Sequence, residues 1–117
     1  MDILNPLFAL FSIVLGVYGW LFPRYTLTVV DLQAGTTTMG HSEIRASAGA
    51  LFVGMGLGAL FFGSYEAYAM LGACWAGAAL GRATSLVLDG QTQKKWVFFG
   101  IEAAVAALAL GLNISAI

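Results

Sequence analysis

Charged residues punctuate this chain sparsely, and the apolar runs between them set its architecture. They stand at Asp2, Arg24, Asp31, Glu43, Arg45, Glu66, Arg82, Asp89, Lys94, Lys95 and Glu102. The intervals 4–22 and 46–65 are free of charge. The intervals 67–88 and 96–117 are each broken once, by Arg82 and by Glu102. A helix needs about 20 mostly apolar residues to cross a bilayer. The pattern therefore predicts four membrane-spanning helices at about 4–22, 43–65, 67–88 and 95–115. They form a single domain over 1–117: an all-α, four-helix, up-down antiparallel bundle with both termini on one side. Asn5-Pro6 suits a helix start, because proline is tolerated in a first turn. The first run is expected to be a retained helix rather than a signal peptide. Asp2 precedes it without any Lys or Arg, and Phe22-Pro23-Arg24 follows where a small-residue cleavage site would stand.

Composition sharpens this reading. The chain has 117 residues, of which 60% are hydrophobic and 9% charged. Soluble domains carry about 25% charged residues, and a small soluble body needs proportionally more polar surface. Soluble and disordered alternatives are excluded. A net charge of −1 leaves no electrostatic footprint for nucleic acid. Arg24, Lys94 and Lys95 fall in the loops after the first and third spans, and Arg45 and Arg82 lie toward the same side. The terminal side has no Lys or Arg. The positive-inside rule then puts those loops in the cytoplasm of a bacterial inner-membrane protein, with periplasmic termini. Trp20, Tyr25 and Trp96 suit the inner interface, Tyr65 and Tyr68 the outer. The long loop before Gly40 reads as a surface segment or short hairpin. Ser42 is expected to cap the second spanning helix, with Glu43 favoured by its dipole.

In lipid, helices associate by close approach through small residues. Ala46, Ala50, Gly54 and Gly58 recur every four residues, as do Ala69, Ala73, Gly77, Gly81 and Ser85, and Ala103, Ala107, Gly111 and Ser115. Two readings are open for these stripes: packing within the bundle, or an interface with a partner or a second copy. The first helix offers only Ser12, Gly16 and Gly19, so looser packing is expected there.

Arg82 and Glu102 are the intramembrane charges. The runs 67–81 and 103–117 that separate them from the terminal side are equally long. Antiparallel neighbours would bring the two to one depth, as an ion pair. Arg45, Ser85 and Asp89 complete a candidate polar cluster, with Asp89 placed to meet Arg82 and with His41 and Glu43 at the rim. Such a cluster fixes helix register. The alternative is a pocket for a lipid headgroup or a quinone-like head, serving a binding or transport module. A proton path lacks continuation, since the outer part offers only Ser12, Cys74 and tyrosines.

Catalysis has little support, and no cofactor or metal is expected. His41-Ser42-Glu43 are adjacent residues in one turn, which do not face one another as a triad must. Zinc needs three or four ligands, and His41 and Cys74 are single. Gly54-x-Gly56-x-Gly58 follows no strand and is no nucleotide loop. Cys74 reads as a small packing residue, and Met39, Met55 and Met70 show no ligand spacing. The expected function is non-enzymatic: an accessory or scaffold subunit in the bilayer that packs against a membrane-protein partner or its own copies, with a bound lipid possible.

Two strings carry a resemblance. Arg45-Ala46-x-x-Gly49 leads into Gly54-x-Gly56, and Gly81-Arg82-x-x-Ser85-x-x-x-Asp89-Gly90 precedes Glu102. Over helices two to four the chain resembles a bacterial family of small four-helix membrane proteins, domain-of-unknown-function family 4345. It is loosely similar to other small four-helix bacterial membrane families, some associated with oxidoreductase complexes. The resemblance implies four helices and an Arg/Asp/Glu set, and carries no activity.

Overall fold

Proline and glycine set the element boundaries in the computed structural model, which describes residues 3–117; Asp2, placed by sequence before the first span, lies outside the described residues. Five helices result: α1 (Leu4–Leu21), α2 (Pro23–Val29), α3 (Met39–Phe62), α4 (Tyr65–Leu88) and α5 (Gln93–Ile114). No strand occurs among the described residues. All but α2 are long and apolar enough to cross a membrane. The chain divides into two compact units, residues 3–61 and Phe62–Ile117.

In the first unit Pro23 ends α1 and starts α2. Proline disfavours helical backbone in the residue before it, and Phe22 sits at φ −128°, ψ 61°. Proline itself suits a first helical position. The hydroxyl Oγ1 of Thr26 lies 2.9 Å from the carbonyl oxygens of both Tyr18 and Phe22, so the polar atoms at this break are satisfied. The stretch expected to be a surface segment or hairpin is thus helical in its first half.

Helix α3 begins at Met39, earlier than expected. Ser42 lies inside it, and Thr38, at the cap position, makes no side-chain cap bond. Residues Ala46–Ala50 form a π turn within this helix. A π turn brings residues five apart into register, and the buried positions Ile44 and Gly49 are spaced by five. Gly56 and Ala59 continue the buried face.

α1 and α3 run antiparallel in close contact. Gly16 faces Gly49 and Val53, Gly19 faces Ala48 and Gly49, and Gly56 faces Ala9 and Ile13. A methyl carbon at Gly16 would lie 2.6 Å from the Gly49 carbonyl oxygen, and one at Gly49 would lie 2.5 Å from the Trp20 nitrogen. One at Gly19 would fall inside the Ala48 carbonyl group. The looser packing expected of α1 is therefore corrected: Gly16 and Gly19 give it the nearest backbone approach in the unit.

In the second unit Ser64 caps α4 by accepting from the Ala67 amide at 3.1 Å, and Thr92 caps α5 by accepting from the Lys95 amide at 3.2 Å. Gly90, at φ 94°, supplies the left-handed residue that commonly follows a helix end. α4 and α5 then pack antiparallel. Gly72 faces Ala109 and Leu110, where an added methyl carbon would lie 2.9 Å away.

The buried positions here are Tyr68, Leu71, Gly72, Trp75, Ala79 and Leu86 on α4, and Glu102, Ala106, Ala109 and Asn113 on α5. On α5 the steps alternate four, three, four, which holds one face. The stripes picked from sequence step by four throughout. At 3.6 residues per turn each such step drifts about 40° around the axis, so a stripe leaves the contact face within two turns. Ala46, Ala50, Gly54, Ala73, Gly77, Gly81, Ala107 and Gly111 are exposed, and Gly58 and Ala103 are half-buried. Methyl carbons at Gly54, Gly58, Gly77, Gly81 and Gly111 would meet nothing within 4 Å. Within each unit, then, the contact between its two long helices is made by other positions than the stripes.

Many large apolar side chains point outward, among them Leu7, Leu10, Val14, Phe61, Leu80, Val87, Val97 and Leu108. Apolar surface of this extent on each unit is compatible with contact to a lipid bilayer. Tyr68, in the first turn of α4, is buried. Cys74, expected to pack, is exposed.

Candidate functional site

Polar groups gather at two places, one in each unit. In the second unit the antiparallel register of α4 and α5 brings Arg82 to Glu102. The guanidinium donates from Nε to Oε1 at 3.1 Å and from Nη2 to Oε2 at 2.9 Å. This two-pronged geometry uses the planar forks of both groups. The Glu102 side chain is 12% exposed and that of Arg82 34%, so the carboxylate is buried and the cation half-buried. The Arg82 guanidinium also lies over the Phe98 ring, 5.3 Å from its centre, within the range of a cation–π contact.

The remaining members of the sequence cluster do not join this pair. Asp89 terminates α4: its amide donates to the Ser85 carbonyl, and its side chain is exposed. Ser85 is half-buried one turn earlier. The expected Asp89–Arg82 contact is absent among the described residues, because Glu102 engages both Nε and Nη2 while Asp89 sits past the helix end. Arg45 belongs to the first unit, where Nη1 donates to the Trp20 carbonyl at 2.8 Å. Glu43 accepts from the Ser47 hydroxyl at 3.3 Å.

Around Arg45 the first unit has an open pocket of ≈ 1060 Å³, built where α1, α2 and the start of α3 converge. Trp20, Arg24, Tyr25, His41, Ser42 and Arg45 contribute its polar and aromatic lining, and no acidic residue lines it. Sequence reading placed His41 at a rim and Arg24 in a loop, without joining them. They are distant in the chain, and only the fold of residues 22–45 brings them to one pocket. The signal available was weak: Trp20 to Tyr25 and His41 to Arg45 are two short aromatic or basic strings flanking one loop.

Sequence reading also passed over two buried amides. Asn5 is 1% exposed and Asn113 0%. Asn113 donates from Nδ2 to the Ala109 carbonyl at 2.7 Å, and buried Ser12 donates from Oγ to the Phe8 carbonyl at 2.9 Å. Asparagine inside an otherwise apolar run was the available signal, since buried polar groups must be hydrogen-bonded.

Four long apolar helices, outward-facing hydrophobic side chains and internally satisfied polar groups define a multi-pass helical membrane protein. Within that class the chain matches the family described as Domain of unknown function (DUF4345) over residues 1–113, and it belongs to that family. No curated protein and no solved structure matches it.

Proposed function

We propose that the protein is a non-enzymatic accessory or scaffold subunit of a bacterial inner membrane, docking other membrane helices or its own copies through its small-residue stripes. The observation that carries this reading is that, within their own units, Gly54, Gly58, Gly77, Gly81 and Gly111 stand off the helix–helix contact, which other glycines make. Glycine in a helix interior is destabilising relative to alanine by about 1 kcal/mol. In lipid its compensating use is to let a second backbone approach. The alternative, a lipid-like or quinone-like ligand held by Arg82 and Glu102, is less favoured because those two groups already satisfy each other. Nucleic acid is not proposed as a partner.

Gly54→Leu with Gly58→Leu, and separately Gly77→Leu with Gly81→Leu, test the reading. Native mass spectrometry from mild detergent should register loss of a partner chain or second copy in at least one pair, at unchanged melting temperature. Wild-type assembly in both pairs would show that the stripes face lipid.

Orientation has its own test. All five Lys and Arg residues lie toward the loops after the first and third spans, so those loops are proposed to be cytoplasmic. A reporter fused at the C-terminus should read periplasmic, and one in the 89–95 loop cytoplasmic. The reverse result would place the Arg82–Glu102 pair toward the outer leaflet.

A further inference from the structure

We propose that the pocket of the first unit binds a phosphate group, and that in the membrane this is the phosphate of an anionic lipid headgroup. The proposal does not depend on the docking role above.

Three features carry it. The first is uncompensated charge. Arg24 and Arg45 both line the pocket, and no acidic side chain does. Arg24 has no side-chain partner among the described residues. Arg45 spends one donor on the Trp20 carbonyl. That bond anchors its guanidinium at the pocket wall and leaves its other N–H groups for a ligand. Two planar, permanently charged donors suit the tetrahedral oxygens of a phosphate.

The second feature is the neutral complement. Ser42 and His41 belong to the same lining, and a hydroxyl and an imidazole can both donate to anionic oxygens. The nearest acid in sequence, Glu43, turns to Ser47 and is not part of the lining.

The third is position. The pocket lies where the apolar α1 ends and α3 begins, with Trp20 and Tyr25 beside the cations. Such aromatics occupy the headgroup level of a bilayer, and basic pockets between spanning helices at that level receive lipid phosphates. Leu21, Phe22 and Ala50 extend the lining with apolar surface, which suits the glycerol backbone and upper acyl chain of a lipid better than it suits a free ion.

The experiment is native mass spectrometry of the full chain from mild detergent after incubation with phosphatidylglycerol. Wild-type protein should retain one phosphatidylglycerol. Each arginine near the surface contributes enough that Arg24→Gln should weaken retention about fivefold, and the Arg24→Gln, Arg45→Gln double variant about 25-fold. Because Arg45 also holds the Trp20 carbonyl, the Arg24 variant decides the matter, with an unchanged melting temperature as the control for folding. Retention by Arg24→Gln equal to wild type overturns the proposal, as does failure of wild type to retain the lipid or to bind phosphate. A parallel arm adds excess inorganic phosphate. If bound lipid persists, the source is the lipid headgroup. If phosphate displaces it in wild type and not in the variants, the phosphate chemistry stands and the source is a free anion.

Discussion

Gly19→Ala should destabilise the protein sharply, whereas Gly54→Ala should leave it unchanged or slightly stabilised. The two substitutions add the same methyl group to helices of similar apolar character, and they differ in what that methyl meets. At Gly19 it falls on the Ala48 carbonyl, a backbone group held within the π turn of α3. A flexible side chain could swing away; a backbone carbonyl in a helix moves only if the helices separate. Overpacking of this kind costs about 1–3 kcal/mol even where side chains alone must adjust. At Gly54 nothing lies within 4 Å, and alanine is the better helix former by about 1 kcal/mol. Gly49→Ala and Gly16→Ala should follow Gly19, and Gly77→Ala should follow Gly54. Thermal melts in mild detergent report the contrast. Equal melting temperatures for Gly19→Ala and Gly54→Ala would mean that α1 does not approach α3 this closely.

That contrast marks how far sequence could be read. The four spans were legible because charge is excluded from about 20-residue stretches for one physical reason, the thickness of hydrocarbon. The pairing of Arg82 with Glu102 was legible for a related reason. Equal run lengths on antiparallel neighbours set equal depth, and the two charges in those runs needed a partner. The packing register was not legible. Repeats of small residues every four positions are conspicuous, but contact requires steps that average nearer 3.5, and Gly72 or Ala109 stands out less than Gly77 or Gly111. In α3 the π turn adds a five-residue step between Ile44 and Gly49 that no periodicity of the sequence announces. The start of α3 was misjudged because Ser42 offered a familiar cap, while Met39 and Gly40, a turn earlier, offered none. The basic pocket was hidden by chain separation: Arg24 and Arg45 lie on either side of a loop whose path depends on the break at Pro23.

Arg82→Leu and Glu102→Leu should each destabilise the protein by about 3 kcal/mol, and the double replacement should recover much of that loss. The argument starts from the alternative environments of each group. An unpaired charge at the centre of a spanning helix is disfavoured by about 2.5–3.5 kcal/mol on insertion scales. Here the two-pronged contact, at 3.1 Å and 2.9 Å, neutralises both groups. Removing one partner leaves the other charge without compensation, which is the most damaging way to break a buried pair. The two survivors are not equivalent. Glu102 is the more buried, so Arg82→Leu strands a carboxylate in the interior and should be the worse variant. Glu102→Leu leaves Arg82 half-exposed and above the Phe98 ring, with a long side chain able to extend toward water. The double variant removes both charges and adds apolar volume, and such replacements are often neutral or stabilising. A double-mutant cycle measured by unfolding in detergent should therefore give a coupling of more than about 3 kcal/mol, because the double variant must be more stable than either single variant. Strict additivity of the two losses would remove the ion pair from the account of what holds α4 against α5, leaving Gly72 and its neighbours to carry that contact alone.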